Sequence, residues 1–193
     1  MRLFVALWPP PEVIDALEET VRRTRRHSPE LRWTRSEEWH LTLLFLGEVV
    51  DERVPRLADA LGECLHGRPA PDLTLDGWGT FPRNSGSASV FWAGVGGPLD
   101  GLVHDLTTAA RTNDVPVASR PFVPHLTLAR ARPPRSPAGF PHTLGEPPRV
   151  GWRADRVDLV ESRPGRADRY RTVRTWRLPW EGESQRAPEC GTS

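Results

Sequence analysis

The sequence predicts a mixed strand-and-helix fold in two similar halves, with one histidine-bearing strand from each half facing a shared cleft. Strand-like and helix-like segments alternate in a loose strand, helix, strand, helix order twice along the 193 residues. The tetrapeptide His-Leu-Thr-Leu occurs twice, at residues 40–43 and 125–128. Twenty-one prolines and 16 glycines imply many short connections in place of long helices.

Each element follows from its local pattern. Residues 2–8 are an apolar run stopped by Pro9, Pro10 and Pro11, which reads as a first strand. A helix is expected from about Glu12 to His27, with Val13, Ile14, Leu17 and Val21 at helical spacing. Residues 31–35 suggest a short strand and Ser36 to Trp39 a turn. The first histidine strand, 40–46, is ended by Gly47, and a second helix follows at about 52–65. Residues 72–79 and 88–95 read as two strands joined by the turn-rich stretch Pro82 to Gly86, and a third helix spans about 98–112. Pro121 and Pro124 introduce the second histidine strand, 125–130. Residues 132–149, rich in Pro, Arg and Gly, read as a loop, and strands at about 154–161 and 169–178 close the domain. The expected organisation is one bilobal domain over residues 1–180, with a disordered tail from residue 181 to 193.

Composition narrows the chemistry. The formal net charge is +1, so any site for a polyanion must be local. All 26 basic residues are arginine, which removes Schiff-base lysines and a P-loop. No Gly-x-Ser-x-Gly elbow is present. Cys64 and Cys190 lie far apart and suggest no disulfide framework, and no apolar stretch is long enough to span a membrane or form a signal-peptide core. A cytoplasmic setting is expected.

The repeated tetrapeptide holds the candidate site. Side chains alternate across a strand, so His40 and Thr42 share one face and Leu41, Leu43 and Phe45 the other, where Phe45 is expected in the core. His125 and Thr127 are likewise set against Leu126 and Leu128. Each copy offers an imidazole and a hydroxyl on one side and an apolar anchor on the other. An ordinary amphipathic strand has the same alternation; two copies of one layout favour a function.

The chain resembles the 2H phosphoesterase superfamily, named for paired His-x-Thr-x motifs, and within it the RNA 2′,3′-cyclic phosphodiesterase family, historically called 2′-5′ RNA ligases. The resemblance rests on the opening RLFVALWPP, the motifs HLTLLFLGEV and PFVPHLTLAR, and the late segment ESRPGRADRYRTV. It implies an α+β fold, two pseudo-symmetric lobes of mostly antiparallel sheet with flanking helices around a central cleft. It further implies hydrolysis of RNA 2′,3′-cyclic phosphate ends to 2′-phosphate, with reversible 2′-5′ ligation in some members, and no cofactor or metal. By similarity His40 is the proton donor and His125 the proton acceptor, with Thr42, Thr127 and Arg130 binding substrate. Imidazole, with an ordinary pKa near 6.5, can serve as acid or base near neutrality. Strand parity, however, puts Arg130 on the face opposite His125 unless a bulge intervenes.

The expected partners are RNA with a 2′,3′-cyclic phosphate end or a small cyclic nucleotide, with no membrane and no obligate protein partner evident. Two alternatives remain: a non-catalytic RNA-end-binding module, and an enzyme for another small cyclic phosphate such as an ADP-ribose cyclic phosphate. The other histidines, His27, His66, His104 and His142, have no metal-type spacing, and His27 and His66 suit helix ends. The run Arg163, Arg166, Arg169, Arg171, Arg174 and Arg177 has only Asp168 as a nearby acid; it reads as a solvated face by default and as an RNA-backbone patch at its sharpest. Most tryptophans, and Tyr170, are expected to be structural.

Overall fold

A computed structural model describes residues 1–83, 86–137, 140 and 144–179. Asn84, Ser85, His142, Cys190 and the expected tail lie outside these residues. The elements run in chain order as β1 (Arg2–Leu7), α1 (Pro11–His27), β2 (Arg32–Trp33), β3 (Leu41–Glu48), α2 (Val54–Leu65), β4 (Asp72–Phe81), β5 (Ala88–Gly96), α3 (Asp100–Thr112), β6 (His125–Arg135), β7 (Gly151–Arg153), β8 (Arg156–Ser162) and β9 (Tyr170–Arg177). Single 3₁₀ turns at Ser36–Glu38 and Asp51–Arg53 introduce β3 and α2.

The strands form one sheet in the order β7-β4-β5-β6-β3-β1-β8-β9, with β2 pairing β6 beside that path. Every pair is antiparallel. The expected α+β class holds, and the two halves meet where β3 pairs β6. Leu41 opposite Leu126 is the register pair at that seam, so the residue after each motif histidine marks the join.

Helix starts and faces follow the local pattern. Pro11 occupies the first turn of α1, where its missing N–H costs no hydrogen bond. Val13, Leu17 and Val21 are buried along one stripe of α1, with Leu57, Leu61 and Leu65 on α2 and Leu102 and Leu106 on α3. These residues share one hydrophobic cluster with Leu41, Leu43, Leu126 and Leu128 of the histidine strands. The helices therefore cover the leucine face of the sheet, and the histidine face is left for the cleft.

Strand β1 is buried on both faces because it lies inside the sheet. Leu3, Val5 and Leu7 join the main core, whereas Phe4 and Ala6 pack with Val160, Trp8 and Tyr170 into a second, small cluster. Asp158 is also fully buried, its carboxylate accepting from Arg156 at 2.9 and 2.7 Å and from the Thr175 hydroxyl at 2.7 Å.

Two elements depart from expectation. β6 continues through Pro133 and Pro134 to Arg135, because the prolines fall in an irregular stretch between the register pairs Val90↔Arg130 and Ala88↔Arg135, where no regular ladder needs their N–H groups. β7 is three residues long, too short for alternation to reveal, and is defined by pairing with β4.

Candidate active site

His40 and Thr42 of the first motif and His125 and Thr127 of the second line one cleft of about 420 Å³. The cleft is also lined by Phe4, Thr34, Glu38, Phe45, Arg2, Arg120, Arg130, Arg169 and Tyr170. Strand parity thus placed both His-Thr pairs correctly.

Parity failed three residues beyond each threonine, for one shared reason. On β3, Thr42 pairs with Ala6 and Leu44 with Val5, so Leu43 is an extra residue in the ladder. On β6, Thr127 pairs with Trp92 and Ala129 with Phe91, so Leu128 is extra. The last leucine of each His-Leu-Thr-Leu is therefore a β-bulge, and both Leu43 and Leu44, like Leu128 and Ala129, stay buried. Alternation resumes with the opposite phase. Phe45 is consequently not core: it is 68% exposed and lines the cleft. Arg130 likewise reaches the cleft instead of the opposite face.

The two imidazoles are held by the same device. His40 Nδ1 lies 2.7 Å from the carbonyl of Glu38, and His125 Nδ1 lies 2.6 Å from the carbonyl of Val123. A carbonyl can only accept, so Nδ1 carries the proton in each ring and Nε2 is left for chemistry in the cleft. Aromatic neighbours brace both rings. Phe4, Trp8 and Tyr170 lie 5.0, 5.1 and 4.9 Å from His40 between centroids, and Phe81 and Trp92 lie 4.9 and 5.7 Å from His125. Trp92 itself needs a bare backbone opposite, since a Cβ on Gly79 would fall 2.1 Å from its ring.

A family model described as LigT like Phosphoesterase matches residues 7–92, a span that contains the first half-site. The RNA 2′,3′-cyclic phosphodiesterase of Thermus thermophilus is 36% identical over 173 residues, covering 84% of this chain and 82% of that protein. This chain belongs to the LigT-like phosphoesterase family. The protein of the same name from Thermotoga maritima is 31% identical over 134 residues, 68% of this chain and 71% of that one. A crystal structure from Thermus thermophilus matches with a TM-score of 0.74 at 30% identity, covering 92% of this chain and 98% of that one. E. coli LigT complexed with 3′-AMP matches with a TM-score of 0.72 at 28% identity, covering 93% and 98%.

In this LigT-like phosphoesterase, burial disfavours the charged form of both imidazoles. His40 is lowered to about 4: burial is the main cause, the positive charges of Arg169 and His125 add to it, and the Glu38 carbonyl and carboxylate oppose it. His125 is lowered too, first by burial and then by Arg130, against the Val123 carbonyl. Both rings are therefore mainly neutral near pH 7. Tyr170 is raised by burial and keeps its proton, which suits the structural role expected of it.

The arginine run of the late segment is largely neutralised, by Asp168 within it, by Glu161 at its start and by acids from elsewhere in the fold. Arg163 pairs with Asp168, Arg171 with Glu161 at 2.8 Å, Arg174 with Asp59 at 3.3 Å and Arg177 with Asp155 at 2.7 Å. Arg169 lies 3.6 Å from Glu38 and over the ring of Tyr170. The solvated-face reading fits this run; the RNA-patch reading loses its free charges. Among the remaining candidates, His27 donates from Nδ1 to the Arg23 carbonyl at the end of α1 and serves the helix terminus. Cys64 is a half-buried free thiol. Among the described residues, no three His, Cys, Asp or Glu side chains converge as metal ligands, and no helix is long and apolar enough to cross a membrane.

Sequence reasoning missed Phe45, Glu38 and Arg169 as cleft residues. The double leucine at Leu43 and Leu44 was the available signal for Phe45, because two adjacent apolar residues break strict alternation.

Proposed function

We propose that this chain hydrolyses 2′,3′-cyclic phosphate ends of RNA to 2′-phosphates by a two-histidine mechanism. The observation that carries the reading is the doubled half-site: two imidazoles with Nδ1 tied to a backbone carbonyl two residues back, each with a threonine two residues on, lining one cleft. The names of the Thermus and Thermotoga relatives support the substrate class.

In the reading proposed, water attacks phosphorus and gives its proton to Nε2 of His125. The bond from phosphorus to the ribose 3′-oxygen breaks, and Nε2 of protonated His40 delivers a proton to that oxygen. Thr42 and Thr127 donate to the non-bridging oxygens, and Arg130 offsets their charge. No step calls for a metal. A 5′-hydroxyl in place of water would give a 2′-5′ linkage by the same transfers. The low pKa of His40 makes it a ready donor once protonated. The anionic substrate favours that protonated form by offsetting the charge of Arg169.

The deciding experiment incubates the chain with a short RNA bearing a 2′,3′-cyclic end and determines the position of the product phosphate. A 2′-phosphate is expected. A 3′-phosphate would overturn the leaving-group assignment, and an unreacted end would overturn the activity.

A further inference from the structure

At the edge of the cleft, β2 and β6 bring together arginines for which no acid lies within ion-pair distance among the described residues. The register sets Arg32 of β2 directly opposite Arg130 of β6. Like charges in that position destabilise a strand pair unless something anionic lies across them. Arg132 follows two positions after Arg130, and both are exposed on either side of the buried Ala131. Arg32, Arg132 and Arg169 all bear on the charge of Arg130, whose pKa is lowered first by burial and then by them. Among the described residues no carboxylate lies within ion-pair distance of Arg32, Arg130 or Arg132, whereas Arg169, Arg171, Arg174 and Arg177 each have one.

The cluster continues the cleft. Thr34 lines it, and the Thr34 N–H donates to the carbonyl of the bulge residue Leu128 at 2.8 Å, which ties the end of β2 to the second half-site. Trp33 packs toward the core, so Arg32 shares the open side with Thr34. A cleft of about 420 Å³ takes a ligand of the nucleotide class. Arginines beyond its lining therefore meet whatever is joined to that ligand.

We propose that Arg32 and Arg132 form a track for the sugar-phosphate backbone of the nucleotides preceding the cyclic end, so that the chain favours RNA ends over free cyclic nucleotides. The proposal rests on the activity proposed above. Guanidinium forks match phosphate oxygens two at a time, and the contact ignores base identity, as suits a site that reads an end in place of a sequence.

The test compares hydrolysis of a 2′,3′-cyclic mononucleotide with that of a short RNA carrying the same cyclic terminal nucleotide, over a range of salt. The intact chain and the double variant Arg32→Gln, Arg132→Gln are measured side by side. The wild type is expected to have a KM for the RNA about tenfold or more below that for the mononucleotide, the size of a charge-assisted contact. The variant should lose that preference, and the slope of log KM against log salt should fall by about 1.4, at about 0.7 for each lost contact to a single strand. Its turnover of the mononucleotide should stay at the wild-type level, which also reports that it folds. Equal losses on both substrates, or an unchanged RNA KM, would overturn the track. A wild type that turns over the mononucleotide without favouring RNA would overturn the track and leave the activity standing. A wild type that turns over neither overturns the activity itself, and the track with it.

Discussion

The two half-sites share a backbone and differ in what they present. In both, Nδ1 of the histidine is held by the carbonyl two residues back, the threonine follows at the same spacing, and the motif's last leucine bulges. The bulges then deliver Phe45 on one side and Arg130 on the other. The residues before the histidines differ as well: Glu38 bears a carboxylate, paired to Arg35 at 2.9 Å and near Arg169, whereas Val123 bears none. One duplicated scaffold thus adds Phe45 and the Glu38–Arg169 ion pair on the side of His40, and Arg130 on the side of His125. Pseudo-symmetry positions the shared groups; the departures from it give the two sides different surroundings.

The largest expected effects come from removing what the half-sites share. His40→Ala and His125→Ala should each lower kcat on a cyclic-phosphate substrate by about 10²–10⁴-fold, the usual size of acid or base assistance. Comparable wild-type turnover in either variant would break the equivalence of the two sides. Thr42→Val and Thr127→Val remove one donor each and should cost up to about 10²–10³ in kcat, with little change in folding by circular dichroism.

Smaller effects should separate the sides. Arg130→Gln removes a charge-assisted contact, worth about 1.5–3 kcal/mol, and should lower kcat/KM by roughly 10–100-fold on any cyclic phosphate. Phe45→Ala removes a stacking face, worth about 1–3 kcal/mol for a base, and should raise KM for a nucleotide while sparing a substrate without a base. Equal effects of Phe45→Ala on both substrates would remove the expected stacking of a base on Phe45.

The smallest effect is on stability. His40 has a folded-state pKa of about 4 against an unfolded value near 6.5, so between those values the unfolded chain binds more protons. The stability tied to the neutral ring is thus present above pH 6.5 and lost as pH falls toward 4. Denaturant midpoints measured across that window should drop in the wild type and drop less in His40→Gln. Parallel curves would remove the claim that His40 is the strongly lowered ring.

Much of this molecule is legible locally. Periodicity of 3.6 located α1, α2 and α3, and period 2 put both His-Thr pairs on one face and their leucines on the other. Phe45 and Arg130 were misplaced because parity assumes a regular ladder, and a bulge exists only relative to a partner strand, here β1 for one and β5 for the other. The same limit hid the neutral state of the late arginine run. Asp59 lies on α2 and Asp155 22 residues before Arg177, so nothing around residue 170 announces them, and Glu161 meets Arg171 only through the pairing of β8 with β9.

The sequence by itself determined the element types, the buried faces, the paired histidines and threonines, and the family that their motifs resemble, because each depends on residues within a few positions of one another. Tertiary structure alone decided which further side chains join the cleft, which arginines keep a free charge, and how far each imidazole is driven toward its neutral form. Those outcomes depend on strand register, on ion pairs between distant segments and on desolvation, and none of these exists until the sheet has assembled.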